Sequence, residues 1–222
     1  MSQLFVKICG MTRPQDAELA ASLGASALGF IFWPGSPRSV TAAAAKAITA
    51  SVPSNVLKVG VFVDQAAGDV ARIMDEAGLD VAQLHGHENA EYCRHLMASL
   101  NRAAANGGAL PASASRRSIF KAVAPENGSV NIDDVDSEII LLIDAHDPQR
   151  HGGTGKTVNW DSARQIAATR KTILAGGLTA ANIKLAVRTV RPYGVDVSSG
   201  VESAPGIKDP GRLRSFFEAL HD

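Results

Sequence analysis

The chain has 222 residues, of which 45% are apolar and 20% charged, and its 22 Lys and Arg are balanced by 22 Asp and Glu. Such a length suits one barrel of roughly 200–250 residues or a compact doubly wound sheet, and the composition excludes a disordered chain. The zero formal charge leaves no overall field to hold nucleic acid or an anionic membrane, and no apolar run reaches the roughly 18–20 residues of a membrane span.

Taken in order, an apolar run at 4–9 opens the chain with Leu4-Phe5-Val6, without a charged leader or cleavage site, and a cytoplasmic enzyme is the expectation. An Ala-rich segment of helical period follows at 14–22. The same alternation continues with a strand at 27–32 and a helix at 41–50, then 57–63 and 67–77, then 81–85 and 89–100. Residues 101–118, rich in Ala, Gly and Ser and containing Pro111, read as an extended loop, not a domain boundary. The strand at 119–123 is followed by a weak helix position at 127–137, which is acidic, short and broken by Gly128. The remaining strands fall at 139–144, 172–175 and 194–197, with helices at 160–168, 179–190 and 210–220.

Continuous hydrophobic strands such as Ile139-Ile140-Leu141-Leu142-Ile143 need cover on both faces, as in a parallel sheet wrapped by helices. Eight strand–helix units in this length predict a single (β/α)₈ barrel over 1–222, although a doubly wound sheet has the same alternation. There is no internal repeat of fixed period.

In a parallel barrel the C-terminal strand ends face the site, so polar residues that end apolar runs carry the information. Three runs end this way, at Lys7-Ile8-Cys9-Gly10, Leu142-Ile143-Asp144-Ala145 and Gly194-Val195-Asp196-Val197. The strand period of two puts Lys7 and Cys9 on one face. A thiol beside an ammonium is expected to have a lowered pKa, yet a lone cysteine is also an ordinary small core residue. Cys9 and Cys93 are too few for a disulfide scaffold and lack the spacing of a zinc site. A carboxylate at Asp144, directly after five aliphatic residues, must be paired, hydrogen-bonded or at the open mouth.

Glycines cluster late in the chain, at Gly152-Gly153-Thr154-Gly155, Gly176-Gly177 and Ser198-Ser199-Gly200. The last two clusters follow the seventh and eighth strands, where barrels hold phosphate with backbone N–H groups; the alternative is that they only make tight turns. Gly155-Lys156-Thr157 is not a nucleotide P-loop, because Arg150 stands where that motif needs glycine. Arg38, in a loop stiffened by Pro34 and Pro37, is placed to grip a carboxylate, with Trp33 or Phe32 near an aromatic ring. His85 shares a strand face with Gln83 and Val81 and reads as mouth-facing or as a structural histidine. His146, Asp147 and His151 have no recognised metal-ligand spacing, so no metal is expected.

Six of these segments in order resemble the phosphoribosylanthranilate isomerases: Lys7 to Thr12, Leu28 to Phe32 running to Ser36-Pro37-Arg38, Gln83 to Gly86, Asp144 with Gly152 to Lys156, Ala175 to Leu178, and Gly194 to Glu202. The resemblance spans residues 4–220, interrupted at 101–118 and at the weak fifth helix. It implies a (β/α)₈ barrel that performs an Amadori rearrangement of a sugar phosphate with no cofactor. It also implies Cys9 as the base, Asp144 as the acid and Arg38 as the anthranilate-binding residue. His85 and Asp196 are further substrate-binding candidates, and Gly155, Gly176, Gly177, Ser199 and Gly200 are candidates for the phosphate. Acid–base chemistry fits these environments, since an apolar strand end raises a carboxyl pKa while Lys7 is expected to favour the thiolate of Cys9.

Other barrel enzymes, such as indole-glycerol-phosphate synthases and aldolases, rest on lysine–glutamate pairs or a Schiff-base lysine, whereas here only Lys7 lies on an early strand near the mouth. A non-catalytic phosphate-binding barrel would be expected to lack Cys9 or Asp144, and a thiol redox protein would need a C-x-x-C pair. The expected partner is a small sugar phosphate, with no nucleic acid or membrane, and the expected assembly is a monomer, with a homodimer as the alternative.

Overall fold

The computed structural model describes residues 4–105, 117–124, 132–144 and 160–221. Eight parallel strands close into a barrel in sequential order: β1 (Phe5–Cys9), β2 (Ala27–Ile31), β3 (Leu57–Phe62), β4 (Val81–Leu84), β5 (Ser118–Val123), β6 (Ile140–Ile143), β7 (Thr172–Leu174) and β8 (Gly194–Val197). The doubly wound alternative is excluded by the pairing of β8 with β1, which sets Lys7 opposite Asp196. Helices α1 (Pro14–Ser22), α2 (Ala42–Thr49), α3 (Ala67–Ala77), α4 (Ala90–Ala105), α5 (Trp160–Ala167), α6 (Ile183–Val190) and α7 (Pro210–His221) lie between and after the strands.

Local chemistry fixes the ends of these helices. Pro14 begins α1, where its missing N–H costs nothing, and the Thr41 hydroxyl accepts from Ala44 N at 3.2 Å to cap α2. Gly78, at φ 66°, ends α3 in the left-handed conformation. Helix α4 continues to Ala105, five residues past its expected end at 100, because this stretch is still rich in alanine, the strongest helix former. Helix α6 starts at Ile183, later than the expected 179. The Asn182 side chain accepts from Thr179 N at 2.9 Å and donates to Gly177 O at 2.9 Å, so a side-chain-closed turn replaces the first helical turn. Between β5 and β6 the described residues contain only a 3₁₀ turn at Ile132–Asp134, and the first half of the expected weak helix at 127–137 lies outside the described residues.

Period two divides each strand between two layers. Val59, Val81, Phe120, Leu142 and Ile173 fill the barrel interior, with Phe5 edge-on to Phe120 at 6.2 Å near the N-terminal end. Ile8, Phe30, Phe62, Leu84 and Ile143 point outward and pack beneath Met74, Leu96, Ala163 and Phe216 of the helices. Because Phe5 faces inward, so do Lys7 and Cys9 above it.

One element was not anticipated. After β8 and a 3₁₀ turn (Ser199–Val201), an antiparallel hairpin forms from β9 (Glu202–Ala204) and β10 (Ile207–Lys208), turning at Gly206 with φ 79°. It is pinned to the β1–α1 connection and the first turn of α1: Thr12 Oγ1 donates to Gly206 O at 2.5 Å, and Lys208 N donates to Asp16 Oδ2 at 2.9 Å. No helix among the described residues is long and apolar enough to cross a membrane.

Candidate active site

The inward parity that fills the lower barrel with apolar side chains ends at the C-terminal rim in polar ones. Cys9 from β1, Gln83 and His85 from β4, Asp144 after β6, and Asp196 and Ser198 from β8 line one pocket, with Ile31, Val61 and Val63 as its apolar wall. The β2–α2 connection adds Trp33, Ser36 and Arg38. Of the two aromatic candidates Trp33 faces this pocket, while Phe32 stacks on Phe62 at 5.3 Å on the outer side. A larger cavity of about 410 Å³ lies outside the barrel, along α4 and β5. Its wall carries Cys93, Arg94, Arg117, Asp136 and Glu138, but it lies away from the C-terminal strand ends where a parallel barrel places its chemistry, so the smaller rim pocket, of about 80 Å³, is the candidate site.

At the base of the pocket the Lys7 ammonium, fully buried, pairs with Asp196 Oδ2 at 2.9 Å. Burial works against its charge, but Asp196 and Cys9 outweigh that and raise its pKa. Asp196 lines the pocket, and its buried Oδ1 has no hydrogen-bond partner among the described residues. The Cys9 thiol is 6% exposed, and its pKa is raised, contrary to the expectation from Lys7 alone. Burial is the main cause and the Asp196 carboxylate adds to it, while Lys7 and Lys208 pull the other way. The expected lowering fails because burial of the thiol outweighs the pull of Lys7, whose ammonium is shared with Asp196.

Gly29, directly beside Cys9 in the β1–β2 ladder, makes room for the sulfur, since a Cβ there would lie 2.8 Å from Sγ. On β4 the Gln83 amide nitrogen lies 3.0 Å from His85 Nδ1, and His85 Nε2 lies 3.4 Å from Asp144 Oδ2. An amide N–H donating to Nδ1 leaves the ring proton on Nε2, facing the Asp144 carboxylate.

Arg38 turns back across Gly10 towards β8. Its Nε and Nη2 grip the Glu202 carboxylate at 2.7–3.1 Å, and this hydrogen bonding raises its pKa. Lys208 Nζ donates to Glu202 Oε1 at 2.8 Å, to the Cys9 carbonyl, and to Ser198 O at 3.4 Å. In the sequence Glu202 stands only as the end of the last resembling segment and Lys208 carries no signal, because the long-range contacts that give them meaning leave no local pattern.

The glycine turns occupy the neighbouring rim. Gly176 and Gly177, at φ 85° and 63°, follow β7. Gly200 sits so close to them that a Cβ on it would lie 1.9 Å from Leu178 O. Ser199 and Gly200 belong to the 3₁₀ turn after β8. Gly155, like His146, Asp147 and His151, lies outside the described residues.

Comparison with known proteins gives a consistent result over the full length. The family model for N-(5'-phosphoribosyl)anthranilate (PRA) isomerase matches residues 6–219. The N-(5'-phosphoribosyl)anthranilate isomerase of Pelobacter propionicus is 42% identical over 213 residues, covering 95% of this chain and 92% of that protein. The crystal structure of phosphoribosyl anthranilate isomerase from Thermus thermophilus superposes with a TM-score of 0.82 at 39% identity, covering 98% of each chain. A further phosphoribosyl anthranilate isomerase, solved in complex with reduced 1-(o-carboxyphenylamino)-1-deoxyribulose 5-phosphate, gives a TM-score of 0.78 at 30% identity and covers 99% of each chain. With a family model across nearly all of its barrel and a relative above two-fifths identity, this chain belongs to the N-(5'-phosphoribosyl)anthranilate isomerase family.

Proposed function

We propose that this isomerase opens the ribosylamine ring of phosphoribosylanthranilate and rearranges it to carboxyphenylamino-deoxyribulose phosphate, with Asp144 as the acid and Cys9 as the base. The observation that carries this reading is that a thiol on β1 and a carboxyl after β6 line the same pocket, from strands three steps apart around the barrel. A ribose between them meets a proton donor and a proton acceptor from different sides.

The reaction needs two proton movements. Asp144, protonated, delivers a proton to the ring oxygen as the C1–O bond breaks, leaving an iminium at C1. The thiolate of Cys9 then removes the proton from C2, giving an enolamine that tautomerises to the 2-ketone, with no net gain or loss of atoms. Arg38 takes the anthranilate carboxylate, and Trp33 supplies an aromatic face beside it. Gly176, Gly177, Ser199 and Gly200 take the phosphate at the turns after β7 and β8. Asp196 and His85 serve the substrate's hydroxyl and amine groups. The expected partner remains a small sugar phosphate.

The test is to mix the purified protein with phosphoribosylanthranilate and follow the loss of its fluorescence. Cys9→Ala and Asp144→Asn are each expected to lower kcat by roughly 10²–10⁴, the usual weight of a positioned acid or base, while circular dichroism stays unchanged. Near-normal turnover by either folded variant removes that residue from its role.

A further inference from the structure

We propose that Glu202 is a positioning residue for substrate recognition, holding one edge of the Arg38 guanidinium so that the other edge is presented to the substrate carboxylate. The inference rests on the assignment of Arg38 to that carboxylate and goes beyond it by naming the group that aims it.

A guanidinium offers two paired-donor edges, one formed by Nε with an Nη nitrogen and one by the two Nη nitrogens. Glu202 occupies the first, with Arg38 Nε at 3.0 and 3.1 Å from its two oxygens and Nη2 at 2.7 Å. Among the described residues Arg38 Nη1 has no partner, and Arg38 lines the pocket. The edge left over is the one that matches a carboxylate in bidentate fashion.

Glu202 is itself fixed. It is 5% exposed, and its Oε1 also accepts from Lys208 Nζ at 2.8 Å and from Gly206 N at 3.2 Å. Arg38 and Lys208 together hold its carboxyl below the ordinary range against the opposing effect of burial. The cluster therefore contains two cations and one anion. Lys208, 1% exposed, is committed to Glu202 and to the carbonyls of Cys9 and Ser198, so the excess positive charge reaches the pocket through Arg38. The β9–β10 hairpin thus ties the carbonyl of Cys9 and the guanidinium of Arg38 into one frame.

The experiment compares two ligands, reduced 1-(o-carboxyphenylamino)-1-deoxyribulose 5-phosphate and its counterpart lacking the ring carboxylate. Inhibition constants are measured for the wild-type enzyme, Arg38→Ala and Glu202→Gln, with KM and kcat for the substrate alongside. Arg38→Ala is expected to abolish the preference for the carboxylate. Glu202→Gln should reduce that preference roughly tenfold, the loss of about one charge-assisted hydrogen bond, while binding of the carboxylate-free ligand stays within about twofold and KM rises more than kcat falls. A Glu202→Gln variant that weakens both ligands equally, or neither, overturns the positioning role and leaves that of Arg38 intact. An Arg38→Ala variant that keeps the preference overturns both. If Glu202→Gln does not fold, the double variant Glu202→Gln/Lys208→Met, which leaves no buried ammonium unpaired, carries the same expectation.

Discussion

The sulfur of Cys9 faces the pocket among charged and titratable groups from several elements: Lys7 on its own strand, Asp196 on β8, Lys208 on β10, Arg38 after β2, and His85 and Asp144 across the mouth. Burial dominates this set and raises the thiol pKa. A thiol with a raised pKa stays protonated to higher pH, so the thiolate population, and with it kcat/KM, should rise as pH increases through that value. In a Cys93→Ser background, the pH dependence of iodoacetamide alkylation should have its midpoint above the value of about 8.5 for a free thiol, and the ascending limb of kcat/KM should share it. A midpoint below the free-thiol value would contradict the burial-dominated site. Local spacing reveals that Lys7 and Cys9 share a face, because side chains alternate along a strand. It does not reveal that Asp196, 189 residues after Lys7, pairs with the ammonium and opposes its effect on the thiol, since that depends on barrel closure.

Between the β7 and β8 turns the limiting quantity is space. A Cβ on Gly200 would meet Leu178 O, Leu178 C and the Thr179 methyl group, two of which are backbone atoms that cannot rotate away. Gly200→Ala should therefore force the two turns apart, costing about 1–3 kcal/mol and raising KM for the phosphate-bearing substrate. Gly68→Ala in α3, where no atom lies within 4 Å of the added carbon, should instead be neutral or stabilising by up to about 1 kcal/mol. Thermal melts and KM values for the two variants check the contrast, and equal behaviour would mean that the turns are not packed as described. Strands and most helices were legible to within a residue or two, because a buried parallel strand such as Ile140–Ile143 must be apolar throughout and α1 and α3 carry Pro14 and Gly78 at their ends. The β9–β10 hairpin was not, because two strands of three and two residues leave no alternation to detect. The rim was legible as a set of polar strand ends. The network that orients Arg38 was not, because it joins side chains that only tertiary pairing brings together.

Because the pocket draws its lining from β1, β2, β3, β4, β6, β8 and the β2–α2 connection, a ligand seated there touches most of the circumference of the barrel. The sheet has no free edge, since β8 is hydrogen-bonded to β1, and opening any one strand disrupts two ladders and the pocket at once. Binding should therefore stabilise the whole barrel, not only a local loop, and ligand linkage gives the size of the effect. At roughly one hundred times Kd a ligand specific for the folded state adds about 2.7 kcal/mol, and at roughly 2–4 °C per kcal/mol for a chain of this length Tm should rise by about 5–11 °C. The reduced carboxyphenylamino-deoxyribulose phosphate is the ligand to use, with Trp33 and Trp160 fluorescence and far-UV circular dichroism followed in the same melt. Trp33 lines the pocket and Trp160 opens α5, so the two indoles sample the rim and the helical shell. A single transition displaced equally by both probes is the expected outcome. A ligand-induced shift confined to the fluorescence signal would mean that the rim melts separately from the barrel, and that binding energy is not shared around the closed sheet.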